Sequence, residues 1–167
     1  MTKVRGIEIA IPRFAEPLRI EWIVTDYTGT LAFDGKLIAG VAERLRRLAE
    51  RVDIHVVTSD TFGTADAELS GLPLKVHRLI PDKRHDIQKR NYAMKLRPAR
   101  IAAFGNGNND ALLLRGVRMA GGLAVAVDNG EGCAVEAMRN ANAFVVGIVN
   151  AFDLLLETKR LIATLRR

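Results

Sequence analysis

Four short polar stretches hold the residues of this chain that could do chemistry. The first is Ile23-Val24-Thr25-Asp26-Tyr27-Thr28-Gly29-Thr30-Leu31, an apolar run that ends in a carboxylate and passes straight into a glycine-containing turn. In an open α/β sheet, ligands bind in the crevice beyond the carboxyl ends of the strands, so Asp26 would be aimed into an active site. Read alone, it would serve equally well as a turn or helix cap. The second stretch is Thr58-Ser59-Asp60, at the end of His55-Val56-Val57, which delivers hydroxyls to the same edge or caps the next helix. The third is Pro81-Asp82-Lys83, where an ammonium near a helix start could meet a phosphate as a mobile point charge, although most such lysines are only solvated. The fourth is Phe104-Gly105-Asn106-Gly107-Asn108-Asn109-Asp110, whose glycines allow backbone and side-chain oxygens to converge on an ion.

These stretches need a scaffold that brings them to one edge. Short apolar runs alternate with amphipathic segments from about residue 20 onward, the pattern of helices packed on a mostly parallel sheet. Strands are expected at Arg19–Thr25, Ile54–Thr58, Leu74–Leu79, Arg100–Phe104, Leu123–Val127 and Ala143–Val146. Helices are expected over Val41–Arg51, from Pro81 toward Leu96, over Ala111–Ala120 and, as one docked helix, over Asn150–Arg166. Asp34-Gly35, flanked by Leu31 and Leu37-Ile38, predicts a small hairpin flap over Asp26. A further strand, Gly6–Ile11, either pairs with Arg19–Thr25 or lies at an edge.

The composition removes several classes of function. One cysteine, Cys133, excludes an internal disulfide framework and a Cys-rich zinc site. The longest apolar stretches fall far short of a membrane span, and Glu8 and Arg13 interrupt the N-terminus before an export signal could form, so a cytoplasmic location without membrane contact is expected. With 167 residues the expectation is a single domain, residues 1–18 forming an N-terminal extension. Its net charge of +6 favours anionic partners. The basic run Lys83, Arg84, Lys89, Arg90, Lys95, Arg97 and Arg100 raises the question of a nucleic-acid surface. Tyr92 is the lone aromatic within it, so no stacking platform is evident and nucleic acid is not the expected partner. The third glycine position of a dinucleotide fingerprint is filled by Asp110, and no P-loop pattern occurs.

In order, Asp26-Tyr-Thr28-Gly-Thr30, Thr58-Ser-Asp60, Pro81-Asp-Lys83 and Gly105-Asn106-Gly-Asn-Asn109-Asp110 resemble the four motifs of the haloacid dehalogenase (HAD) superfamily. The likeness is greatest to the phosphorylation domain of P-type ATPases and to small soluble proteins like it. The resemblance runs from about residue 20 to the C-terminus. It implies an α/β fold with a Rossmann-like core, helices on both faces of a mostly parallel sheet, and a β-hairpin flap. It also implies Mg²⁺-dependent hydrolysis of a small phosphorylated substrate, with Asp26 attacking phosphorus to give an aspartyl phosphate. Thr58, with Ser59 beside it, would bind the phosphoryl oxygens, Lys83 would neutralise them, and Asn109 would help fix the phosphate loop. Asp26, the Thr28 carbonyl, Asn106 and Asp110 would serve the metal, directly or through water.

Two residues depart from the pattern. Most phosphatases of the superfamily carry a second aspartate two residues after the nucleophile, where this chain has Thr28, as P-type ATPases do. Slow turnover or a persistent phosphoenzyme is the consequence, which keeps open a phosphoaspartyl switch or slow ATP-hydrolysing module. Asn106 stands where many relatives have a metal-binding aspartate, so magnesium binding is expected to be weaker. A non-catalytic anion-binding or nucleic-acid-binding protein on the same scaffold is the remaining alternative. The intervals after Thr30 and after Asp60 are too short for a cap domain, so the site is expected to be open unless a second subunit covers it in a homo-oligomer.

Overall fold

The computed structural model describes residues 6–167. Its centre is a six-stranded sheet in which every neighbouring pair is parallel. The chain enters at Trp22–Thr25 (β3), runs outward through Asp53–Thr58 (β6) and Lys75–Arg78 (β7), and then crosses back. Ile101–Gly105 (β8), Leu123–Asp128 (β9) and Ala143–Val146 (β10) build the other side, giving the order β10-β9-β8-β3-β6-β7. The direction of winding reverses between β3 and β8. That reversal opens a crevice at their carboxyl ends, the usual ligand position in such sheets.

Each central strand is apolar on both sides because helices cover both faces. Along β9, Leu123, Val125 and Val127 enter one core while Ala124 and Ala126 enter the other. The first core is closed by Val41–Ala49 (α1), Ala65–Leu69 (α2), Ile148–Leu156 (α6) and Thr158–Leu165 (α7), through Leu45, Leu48, Phe152 and Leu161. The second is closed by His85–Lys95 (α3), Ala111–Met119 (α4) and Val135–Arg139 (α5), through Ala93, Leu113, Val117 and Ala137. Small residues dominate this second face: Ala103, Ala124 and Ala126 from the sheet meet Ala93 and Ala137. Short side chains let α3 approach the sheet closely, which matters for the lysine it carries.

Several boundaries differ from the sequence expectation for identifiable reasons. The strand expected over Arg19–Thr25 is two strands. Leu18–Ile20 (β2) pairs antiparallel with Ile7–Ile9 (β1), and at Glu21 the chain changes partners, its backbone bonding to Arg100 and Asp53 before β3 begins. The helix expected from Pro81 starts only at His85, because Asp82 adopts a left-handed φ of 57° and Arg84 is extended at ψ 94°. The single C-terminal helix breaks at Glu157 (φ −118°, ψ 71°) into α6 and α7. Residues 1–5 of the N-terminal extension lie outside the described residues.

The hairpin flap is present. Ala32–Phe33 (β4) and Lys36–Leu37 (β5) are joined by Asp34 and Gly35, at φ 48° and 77°, the pair of positive angles that a tight hairpin of primed type requires. The fully buried Tyr27 donates its hydroxyl to the Gly35 carbonyl at 2.9 Å, tying the flap to the residue after Asp26. Between β3 and β6 there is otherwise only α1, and between β6 and β8 only α2, β7, α3 and a 3-10 turn at Pro98–Arg100. No inserted cap domain is present among the described residues. No described helix is long and apolar enough to cross a membrane.

Candidate active site

Asp26 follows β3 directly and is buried at 5% exposure. Its amide donates to the Phe104 carbonyl at 3.2 Å, fixing it between β3 and β8, and its Oδ1 accepts the Tyr27 amide at 2.8 Å. The other carboxylate oxygen lies 3.0 Å from the ammonium of Lys89. Lys89 Nζ also donates to Asp110 Oδ1 at 2.7 Å, and Lys89 and Asp110 are 1% and 0% exposed. One buried cation is thus shared by two buried carboxylates.

The charge balance of this triad sets its protonation. Burial raises the Asp26 carboxyl, outweighing Lys89 and aided by repulsion from Asp110, to about 6. Burial alone would lower Lys89, but Asp110 and Asp26 together push it up to about 12. The lysine therefore stays a cation, and Asp26 can change charge near neutrality.

The loop after β8 is shaped around the same triad. Asp110 Oδ2 accepts the amides of Asn106 and Gly107, each at 3.0 Å. A Cβ on Gly105 would meet Asp110 Cβ at 2.5 Å, so this position must be glycine for Asp110 to fold under the strand end. Asn106 is oriented by donating Nδ2 to the Gly132 carbonyl at 3.2 Å, which turns Oδ1 toward Thr30, whose hydroxyl donates to it at 3.3 Å. Gly29, at φ 73°, passes so close that a Cβ would lie 2.5 Å from Asn106 Nδ2. The turn after Asp26 and the loop after β8 therefore press together, with oxygen atoms collected between them.

The expected residues fall into place unequally. Asp26, Thr58, Asn106 and Asp110 all lie at the carboxyl edge of adjacent strands β6, β3 and β8. The buried Thr58 Oγ1 accepts the Asp60 amide at 2.9 Å, which leaves its own proton to donate. Ser59 is exposed, its hydroxyl 3.5 Å from that of Thr61. Asp60 is a structural anchor: it accepts the Thr64 and Ala65 amides at the start of α2 and pairs with Arg78 at 2.7 Å. Thr28 Oγ1 is buried with no hydrogen-bond partner among the described residues. Asn109 is half-buried in the 3-10 turn Asn108–Asp110.

Lys83 requires correction. It is exposed in the turn before α3, and the cation beside Asp26 is Lys89. The late start of α3 leaves Lys83 outside the helix, whereas Lys89 lies on the buried face, one turn before the buried Ala93. The spacing Lys89, Tyr92, Ala93, Leu96 was the available signal, a helical stripe with a charge in it. Asn129, just after β9, also escapes a reading of the sequence. Its Nδ2 donates to the Gly29 carbonyl at 3.1 Å and to the Thr30 carbonyl, and its Oδ1 accepts the Ile148 amide at 2.7 Å.

Among the described residues, no three His, Cys, Asp or Glu side chains group to hold a metal. The oxygens at this strand end are those of the Asp26 carboxylate and Asn106 Oδ1, with Asp110 turned inward to Lys89 and the loop amides. An all-oxygen set with few charges fits a hard cation that keeps several of its waters, as Mg²⁺ does.

No family model matches the chain. Two proteins of Methanocaldococcus jannaschii do. The chain is 49% identical to the uncharacterized protein MJ0072 over 39 residues, 23% of this chain and 89% of that protein. It is 40% identical to the uncharacterized protein MJ0073 over 67 residues, 40% of this chain and 68% of that protein. Solved structures extend the likeness over the whole fold. The cobalt-bound deoxy-D-mannose-octulosonate 8-phosphate phosphatase of Haemophilus influenzae superposes with a TM-score of 0.62 at 13% identity, covering 87% of this chain and 89% of its own. The corresponding phosphatase of Moraxella catarrhalis, in complex with magnesium, phosphate and its sugar acid, gives 0.59 at 16%, covering 88% and 94%. The HAD-like hydrolase SP0104 of Streptococcus pneumoniae gives 0.56 at 13%, covering 85% and 98%. The chain thus belongs to one family with MJ0072 and MJ0073, and its fold is that of the haloacid dehalogenase superfamily hydrolases.

Proposed function

We propose that the chain is a Mg²⁺-dependent phosphohydrolase that works through an aspartyl phosphate on a small phosphorylated compound. The observation that carries this reading is the buried Asp26 carboxylate at the end of the central strand, held 3.0 Å from the shared cation Lys89. Asp26 attacks phosphorus, the bond to the leaving oxygen breaks, and water later attacks the phosphoryl group and returns the free carboxylate. Thr58 donates its hydroxyl to a phosphoryl oxygen, Asn109 helps fix the loop beside it, and Lys89 offsets the charge that two anionic reactants bring together. Asp26, Asn106 and the Thr28 carbonyl hold the magnesium ion, which when bound screens nucleophile and phosphate from one another. Asp110 acts by holding Lys89 and the loop. Phosphatases of the same fold carrying magnesium or cobalt support the metal and the substrate class.

Thr28 favours a slow second half-reaction. No carboxylate stands at that position to activate water, and its hydroxyl has no partner among the described residues. We place residues 6–167 in one domain, since Ile7 and Ile9 of the N-terminal extension are buried in the same core as Ile23 of β3. Release of phosphate from p-nitrophenyl phosphate or acetyl phosphate, with and without Mg²⁺, tests the proposal. The expected result is metal-dependent release that Asp26→Asn abolishes, and activity surviving that substitution refutes the assigned nucleophile.

A further inference from the structure

Beside the catalytic loop lies a cavity of about 300 Å³ lined by Lys83, Arg84, His85, Asp86, Asn108 and Asn109. We propose that it is a second anion subsite, and that the substrates are phosphomonoesters bearing a further anionic group a few bonds from the phosphorus. This rests on the phosphohydrolase reading given above.

Three independent features carry it. The cavity is lined by Asn109, the residue immediately before Asp110, which grips Lys89. His85 is four residues before Lys89 on α3, a spacing that sets two residues on one helix face with Cβ atoms about 6 Å apart. The lining is also cationic and incompletely matched. Arg84 is paired with Asp86 at 2.6 Å, but Lys83 has no ion pair among the described residues. Finally, His85 Nε2 is buried with no hydrogen-bond partner among the described residues. A buried polar atom without a partner is costly unless a ligand supplies one. The left-handed backbone of Asp82, φ 57°, belongs to the turn that sets Lys83 here. Because no cap domain among the described residues covers Asp26, discrimination among phosphate esters must come from groups on the core, and these are the groups next to it.

Glycerol 3-phosphate and 3-phosphoglycerate differ by a neutral hydroxymethyl in place of a carboxylate and make the decisive pair. The wild-type protein is expected to favour 3-phosphoglycerate about tenfold in kcat/KM, the worth of one charge-assisted hydrogen bond at a partly exposed site. In Lys83→Met and His85→Gln the ratio falls toward one, because the carboxylate-bearing ester binds more weakly and its KM rises while kcat holds. Calorimetric binding of both esters to the Asp26→Asn protein reads the same ratio without turnover. A ratio near one in the wild-type protein, or one retained in Lys83→Met, overturns the subsite. Failure to release phosphate from any ester, with the binding ratio intact, would instead overturn the phosphatase reading and leave the subsite standing.

Discussion

Lys89 Nζ lies 3.0 Å from Asp26 and 2.7 Å from Asp110, with all three groups shut away from solvent. Removing the one cation of this buried cluster strands two carboxylates, a loss of about 3–5 kcal/mol. Lys89→Met is therefore expected to lower the unfolding free energy by that order at pH 7.5 and to abolish phosphate release. The deficit should shrink as the pH falls through about 6, where the stranded Asp26 carboxyl takes up its proton. Urea titrations on either side of that pH check this. Lys83→Met, at an exposed position, should stay within about 0.5 kcal/mol of wild type. If the two substitutions prove equally mild, the assignment of the site cation to Lys89 is wrong.

Asp26 itself is held at a cost. Its carboxyl is raised from 3.8 to about 6 by burial and by Asp110, despite Lys89, so the folded protein disfavours the ionised form. Between those values the folded protein binds more protons than the unfolded chain, so this group makes stability fall as pH rises from about 4 to 6. In chelator, Asp26→Asn should be more stable than wild type at pH 7.5, and the gain should vanish toward pH 4. A less stable Asp26→Asn protein at pH 7.5 would show that the ionised carboxylate contributes net stability.

How far the site could be read from sequence depended on which side chains are placed by strands. The position of Asp26, Thr58 and Asn106 at the sheet edge is legible in the sequence because a strand end fixes direction: an apolar run followed by a polar residue puts that residue there. Asp34-Gly35 gave the flap for a similarly local reason. Lys89 was hidden because its burial depends on where α3 begins, and that is decided by the backbone of Asp82 and Arg84 rather than by Pro81. Asn129 was hidden because its partners, the Gly29 and Thr30 carbonyls, are far away in the chain, and only the pairing of strands brings them close. The split of the C-terminal helix at Glu157 carries no glycine or proline to announce it.

Thr28 offers the clearest kinetic test. A positioned acid–base group contributes about 10²–10⁴-fold, and here the position holds a buried hydroxyl without a partner among the described residues. Labelling with acetyl phosphate should give an acid-stable phosphoenzyme in the wild-type protein. Thr28→Asp should shorten its half-life by at least about tenfold by restoring a base for water. An unchanged half-life would mean that Thr28 does not govern the second step.

Asn129 connects three segments with one amide: its Nδ2 donates to the turn after Asp26, and its Oδ1 accepts the first amide of α6. Asn129→Asp keeps the shape and the acceptor but removes both donations, and it sets a carboxylate against two carbonyl oxygens. Loss of buried or half-buried hydrogen bonds of this kind costs about 1–3 kcal/mol. The Gly29 turn presses on Asn106, so loosening it should also reach the oxygen donors expected to hold magnesium. The expected phenotype is a fall in stability of that order together with a raised magnesium requirement for phosphate release, read from activity against metal concentration. Asn129→Asp with unaltered magnesium dependence would show that the Asp26 turn keeps its shape without the tether, and that contact with the β8 loop is enough to hold it.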